Sequence, residues 1–332
     1  MRNDELIVLR REGMYCPLGG FYIDPILPVE NAVISHGHAD HARNGHKKIL
    51  CSNRSEKIIH HRVKFKSIQS LNFRERIRIG DIYLTMFPAS HVLGAAQILL
   101  ETKGRRWLYT GDFRLAQDSS CDAFEPIKTD ILVMESTFGL PIFRWRNESE
   151  VFREIFDMWE NCKQTKMNLV LYCYSLGKSQ RILHGMKRYF GTSAFPGSIK
   201  VHPSISAINK IYKYHGIDFP DYSTFSLHKK AEGSTLILVP PSVKRTKMID
   251  IFKPCIEAVV SGWMAVRGNR RRETGCKGFV LSDHADWTEL NRLVELTEPK
   301  NVITVHGKSN VFRKYIEERG VGTSDLTFAN SN

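Results

Sequence analysis

Apolar and polar positions along this chain follow two rhythms. From Gly20 to Ser136 the period is mostly two: GGFYID, NAVIS and KKILCS each predict one strand, with a helix over Ser55–Lys64. ERIRI-GD-IYLTMF and AAQILLET-KG-RRWLYTGD predict hairpins that turn at Gly80-Asp81 and Lys103-Gly104. DILVMEST is a continuous apolar run, as in a strand covered on both faces. Past Leu140-Pro141 the texture changes. SEVFREIFDMWENC has helical spacing, and NLVLYCY, SLGKSQRILHGMKRYF, SIKVHPS, SAINKIYKYHG and TLILVPPS then alternate strand with helix. That is the rhythm of a small parallel sheet with crossover helices. A basic stretch, RGNRRRE (267–273), closes this region, and GFVLSDHAD, WTELNRLVELTEP, NVITVHG and VFRKYIEERG supply two further strand–helix units. The class is therefore α/β. The boundaries fall near residues 141 and 275: residues 1–140 open one domain, 141–275 are inserted, and 276–332 complete the first.

Composition adds to this. The 332 residues are 42% hydrophobic, enough for a substantial core. No apolar run is long enough to cross a bilayer, and MRNDELIVLRREG mixes both charge signs without an apolar signal core. The expectation is a cytoplasmic chain with no membrane attachment. None of the seven cysteines is spaced as C-x-x-C, which points to free thiols rather than a zinc ribbon or redox pair. Lys and Arg number 48 against 35 Asp and Glu, a formal +13. Such an excess favours a polyanionic partner, because each neutralised phosphate releases counterions.

The densest chemistry lies in NAVISHGHADHA, which carries H-x-H-x-D-H at a predicted strand end. In an extended segment His36 and His38 point to one side, whereas Asp40 and His41 follow where the chain turns and can face a second position. Imidazole nitrogens with a carboxylate suit zinc, or manganese where oxygen ligands dominate. Three of only 13 histidines fall within six residues here, which a chance polar loop explains poorly. His91 in FPASHVLGAA and Asp112 in LYTGDFR follow later strands and are candidates to complete two sites.

In this order the motifs resemble those of the metallo-β-lactamase fold. MESTFG with Glu135, LSDHADW with His284 and VITVHG with His306 are similar to the three additional motifs of the β-CASP nucleases, which carry a cap inserted between the first two of these motifs. YCPLGGFYIDP, STFGLPIFRW, SGWMAVRGNRRR and GFVLSDHADW extend the likeness over essentially the whole chain, toward the bacterial ligase-associated DNA exonucleases. The resemblance implies an αββα sandwich with a small inserted α/β cap. It implies two divalent ions, zinc first and manganese as an option. His36, His38 and His91 would hold one ion, Asp40, His41 and His306 the other, and Asp112 would bridge them. Such a pair activates water and clamps a phosphodiester. Asp40, Glu135 and His284 then form the catalytic set, with His284 protonating the leaving alkoxide and Glu135 orienting that imidazole. Asp24, ending FYID, matches the family's first strand-end aspartate, and a supporting role behind the ligands is expected.

The implied substrate is DNA, at ends prepared for an ATP-dependent DNA ligase as functional partner. In β-CASP enzymes the last motif tends to be His in RNA-acting members and Val in DNA-acting ones, so His306 keeps RNA as the alternative. A thioester or lactone hydrolase could share the metal motif, but it leaves Glu135, His284 and the basic excess without a role. SLGKSQ lacks the first glycine of an ATP-binding loop, since Tyr172 stands there. Lys178 is instead a candidate phosphate contact at a helix start. Arg267, Arg270, Arg271 and Arg272, with Trp263 and Trp287 near in sequence, are candidates for a substrate-backbone clamp.

Overall fold

The structure is a computed structural model that describes residues 5–225, 231–273, 275–307 and 309–329. It divides into two compact units, residues 1–143 with 284–332, and residues 144–283.

The first unit begins with β1 (Val8–Arg10), β2 (Gly13–Cys16), β3 (Phe21–Ile23), β4 (Asn31–Val33) and β5 (Lys48–Ser52). Helix α1 (Asn53–Arg62) and β6 (Ser67–Leu71) follow, and these six strands form one sheet in sequence order. Strands β7 (Arg76–Ile79), β8 (Ile82–Pro88), β9 (Ala96–Thr102), β10 (Arg105–Tyr109) and β11 (Ile131–Glu135) build most of a second sheet.

Period-two patterning decides which faces meet. Ile82, Leu84 and Met86 of β8, with Ile98 and Leu100 of β9, are buried in one core with Phe21, Ile23, Val33 and Leu50 of the first sheet. The alternate residues Ala32, Ile34, Ile49 and Cys51 point the other way, onto Ile59 and Val63 at the end of α1. A one-residue slip would exchange these two sets and expose both. Helix α1 starts two residues before the expected Ser55, because the Ser52 side chain caps it by accepting from the Ser55 N–H. Both hairpins turn where expected, with Ile79 opposite Ile82 and Thr102 opposite Arg105. Gly80 has a second reason to be glycine: at its φ of +58° a Cβ would sit 2.2 Å from the Leu18 carbonyl oxygen.

The second unit contains α2 (Glu148–Gln164), β12 (Asn168–Tyr172), α3 (Lys178–Phe190), β13 (Ile199–Val201), α4 (Pro203–Tyr214) and β14 (Ser223–Thr224). It continues with β15 (Leu236–Val239), β16 (Cys255–Val260), α5 (Arg267–Arg272) and β17 (Lys277–Phe279). Its sheet, in the order β14-β13-β15-β12-β16-β17, is parallel throughout. NLVLY and LILV are buried at every position, as strands covered on both faces must be. This unit extends to Asp283 rather than ending near residue 275. Ala258, Val259 and Val260 of β16 pair with Lys277, Gly278 and Phe279, which draws the start of GFVLSD into the inserted sheet.

The chain then returns to the first unit with α6 (Trp287–Thr297), β18 (Asn301–Val305), α7 (Ser309–Glu318) and β19 (Gly322–Ser324). Strand β18 pairs in parallel with β11, and β19 with β18, completing a seven-stranded second sheet. Helix α6 opens with a reciprocal cap between Asp286 and Glu289. Among the described residues no helix is long and apolar enough to cross a membrane.

Candidate metal centre

Six chemically active side chains of the first unit lie at or just beyond the C-terminal ends of strands: Asp24 after β3, His36 after β4, His91 after β8, Asp112 after β10, Glu135 ending β11 and His306 after β18. Where ladder pairing stops, the backbone is free to turn and aim a side chain. Asp24, Ser90 and His306 do so at positive φ (43°, 58° and 58°), a region non-glycine residues enter only when their surroundings enforce it.

Three of these turns converge, those carrying His36 with His38, His91, and Asp112. Nε2 of His36 lies 3.1 Å from Nδ1 of His38, which lies 2.9 Å from Nε2 of His91. Asp112 Oδ2 is 3.6 Å from His36 Nε2 and 3.7 Å from His91 Nε2. One ligand atom from each of these four residues falls within 4.8 Å of the others. Zinc–nitrogen bonds of about 2.0–2.1 Å put neighbouring ligand atoms of a tetrahedron roughly 3.3–3.4 Å apart. The observed spacings bracket that value. Nitrogen lone pairs facing one another this closely repel unless a cation or proton sits among them, so the donor set fits a divalent ion. Ser35 Oγ, which donates to Asp24 Oδ2 at 2.5 Å, is 3.1 Å from His36 Nδ1. Its one proton is thus committed, so it accepts from Nδ1–H and leaves Nε2 unprotonated, able to face an ion.

His41 is held similarly. Its Nδ1–H donates to Asp24 Oδ2 at 2.8 Å, and its Nε2 faces Asp112 Oδ2 at 3.4 Å. Asp24 also accepts from the Tyr109 hydroxyl (2.9 Å) and the Ser35 N–H (2.7 Å). Burial opposes charge on His41, but Asp112 and Asp24 outweigh it and raise its pKa well above the usual histidine value. Burial, helped by the neighbouring His41, pushes His36 well below that value. Burial likewise resists ionisation of Asp112, yet the imidazoles of His41 and His284 hold its carboxyl well below the ordinary range. Without metal, then, the two carboxylates favour the protonated form of His41, and cation uptake competes with that proton.

The second expected set is more open. Asp40 Oδ2 lies 3.9 Å from His41 Nε2 on a side chain that is 74% exposed. The His41 and His306 rings are 5.4 Å apart, and His306 is exposed. Among the described residues these three do not close into a group as tight as the first.

Glu135 and His284 form a third arrangement. His284 Nδ1 lies 2.8 Å from Glu135 Oε2 and 3.9 Å from Asp112 Oδ2. Asp112, Glu135 and His284 could also be grouped as metal ligands by distance. The oxygens of Glu135 are already engaged, however: Oε1 accepts from the Phe113 N–H (2.7 Å), and Oε2 from the Thr137 hydroxyl (2.7 Å) as well as His284. A carboxylate so committed orients an imidazole better than it ligates an ion.

Residues 276–324 match the family described as the Zn-dependent metallo-hydrolase RNA specificity domain. A probable DNA ligase of Opitutus terrae is 31% identical over 93% of this chain. The chain belongs to the metallo-β-lactamase/β-CASP nuclease family. Cleavage and polyadenylation specificity factor 73 of Drosophila melanogaster (24% identical over 74% of the chain) and endoribonuclease YSH1 of Candida albicans (24% over 77%) are further relatives. The chain spans 30%, 42% and 36% of the lengths of these three curated relatives, respectively. The fold is shared with the crystal structure of a protein of unknown function from Enterococcus faecalis V583. That match has a TM-score of 0.60 at 14% identity and covers 91% of this chain and 79% of that one.

One residue of this β-CASP chain departs from expectation. Lys178, a candidate phosphate contact, is 4% exposed, and its Nζ lies 2.8 Å from Asp283 Oδ2. Arg181, also buried, donates to the Ser282 carbonyl, to Asp283 and to Glu148. Lys178 therefore belongs to an internal charge network that fastens the end of the second unit, because a buried ammonium requires an anion beside it. Arg267, Arg270, Arg271 and Arg272 are exposed on α5, where the Arg270 Nε–H donates to the Met264 carbonyl. Sequence reasoning missed Ser35, Tyr109 and Thr137. Thr137, two residues after Glu135, is within reach of a local-turn argument. Tyr109 meets Asp24 across 85 residues, and no local pattern signals that.

Proposed function

We propose that this chain is a metal-dependent phosphodiesterase, a DNA exonuclease that prepares ends for an ATP-dependent DNA ligase. The observation that carries this reading is the likeness of 93% of the chain to part of a protein named as a probable DNA ligase. The convergence of His36, His38, His91 and Asp112 and the formal +13 charge support it.

His36, His38, His91 and Asp112 would hold one divalent ion, and Asp40, His41 and His306 a second, with Asp112 between them. Zinc suits the nitrogen-rich first set, and manganese the more carboxylate-rich second. When bound, such ions supply Lewis acidity and lower the pKa of water. The chain's own residues do the rest. Asp24 and Ser35 fix the histidine tautomers, so the rings present Nε2 without reorganisation at the moment of reaction. Glu135 accepts from His284 Nδ1–H and favours the charged imidazole, whose Nε2–H then protonates the departing alkoxide. The exposed arginines of α5 would neutralise backbone phosphates.

An RNA substrate is the second reading. It is favoured by His306 and by the description of the family that residues 276–324 match. Digestion of matched end-labelled DNA and RNA oligomers, single- and double-stranded, with Zn²⁺ or Mn²⁺ separates the two. Stepwise shortening of DNA, with RNA left intact, is expected. Cleavage of RNA alone would overturn the DNA assignment, and inertness toward both would overturn the nuclease reading.

A further inference from the structure

The second unit, taken by itself, contains a cavity that the metal centre does not use. Strands β12 and β16 are neighbours in its parallel sheet, and the chain leaves them in opposite directions. From β12 it goes on to β13 on one side, and from β16 to β17 on the other. A switch point of this kind opens a crevice at the carboxyl ends of the strands, where α/β sheets accept ligands. Here it is a cavity of about 350 Å³, the size of a small-ligand pocket.

The lining has a definite chemical character. Tyr174, just past β12, is 60% exposed, and Trp263, just past β16, is 44% exposed. Two partly exposed aromatic side chains at one crevice offer flat surfaces on which a planar ligand can stack. The turn carrying Trp263 is held in place: its N–H donates to Ser261 Oγ, and its carbonyl accepts from the Asn269 side chain, both at 3.3 Å. Arg272 lines the same cavity at the end of the exposed arginine run. The one acid in the lining, Glu273, is ion-paired with Lys244, so it does not cancel the arginines.

We infer that this cavity receives an unpaired nucleobase, stacked on Tyr174 and Trp263, while Arg272 contacts the adjoining backbone phosphate. Flat rings accept any base, because every base has a π-face, and a guanidinium matches phosphate geometry. An acidic peptide would satisfy Arg272 but leave both rings uncovered. The inference rests on the nuclease reading above for the source of the base, and it adds a single-strand contact to the chain.

The test measures binding of two probes to the full, metal-loaded chain. One is a hydrolysis-resistant phosphorothioate single-stranded DNA oligomer, and the other has the same backbone with abasic positions throughout. The base-bearing oligomer is expected to bind at least about fivefold tighter, the effect of one stacked base. Trp263→Ala and Tyr174→Ala should each remove most of that difference and leave abasic binding unchanged, whereas Trp263→Phe should retain it. Equal affinity of the wild-type chain for both oligomers would overturn the inference, as would aromatic variants that weaken both oligomers alike. If the wild-type chain cleaves nucleic acid without distinguishing the oligomers, only the pocket falls. If it neither binds nor cleaves, the nuclease reading falls with it.

Discussion

Oδ2 of Asp24 lies 2.8 Å from Nδ1 of His41, and through that ring it acts on Asp112, whose Oδ2 is 3.4 Å from the other nitrogen. A carboxylate behind a ligating histidine fixes its tautomer and raises its basicity, and losing one typically costs about 10–100-fold in metal affinity. Asp24→Asn should therefore weaken uptake of one ion by that order, read in a chelator competition. Tyr109→Phe removes one of the donors to Asp24 and should cost less. Unchanged affinity in Asp24→Asn would remove the supporting role.

If Asp112 serves two ions, the purified chain should carry about two metals. Asp112→Asn should lose much of that content and nearly all hydrolysis. His306→Ala should empty the more open second site while His36, His38 and His91 stay loaded. Elemental analysis of the purified variants decides this, and a fully active Asp112→Asn protein would end the mechanism.

His284→Ala should keep its metals and bind substrate, but turn over about 10²–10⁴-fold more slowly, the usual cost of a lost general acid. A substrate with a sulfur-bridged scissile linkage needs little protonation of its leaving group, so on it the variant should recover much of the deficit. Glu135→Gln should be milder, since an amide oxygen still accepts from Nδ1–H but no longer balances the charge. Equal losses on both linkages would assign His284 to metal support.

The two groups of cations in the second unit should separate cleanly. Replacing Arg270, Arg271 and Arg272 by Ala should flatten the salt dependence of nucleic-acid binding, by nearly one unit of slope for each phosphate that is no longer neutralised. Folding stability should hold, because these side chains are exposed. Lys178→Ala should do the reverse. It removes a partner from buried Asp283, a change that costs about 3–5 kcal/mol when a buried charge is stranded. The neighbouring Arg181 argues for the lower end, read as a fall in the urea midpoint.

Much of the architecture was legible because its cause is local. The period-two runs of β8 and β9 and the Gly80 turn follow from short stretches of chain, and the buried runs NLVLY and LILV signal a parallel sheet without any partner in view. The end of the inserted unit was not legible. KGF pairs with β16 only because the fold places it there, and nothing within three residues says which sheet a strand will join.

By itself the sequence determined the strand-end positions of His36, His38, His91 and Asp112 and the exposure of a dense arginine run, since each depends on neighbours a few residues away. Only the tertiary structure decided which atoms face one another. It set Nδ1 of His38 between His36 and His91, joined Tyr109 to Asp24, and committed the oxygens of Glu135. It also buried Lys178 against Asp283, in a loop that reads locally as a surface turn. The physical reason is common to the long-range pairs. Hydrogen bonds and desolvation act over about 3 Å, whereas His38 and His91, Tyr109 and Asp24, Phe113 and Glu135, and Lys178 and Asp283 stand tens of residues apart in the chain, and only packing the sheets brings them within range.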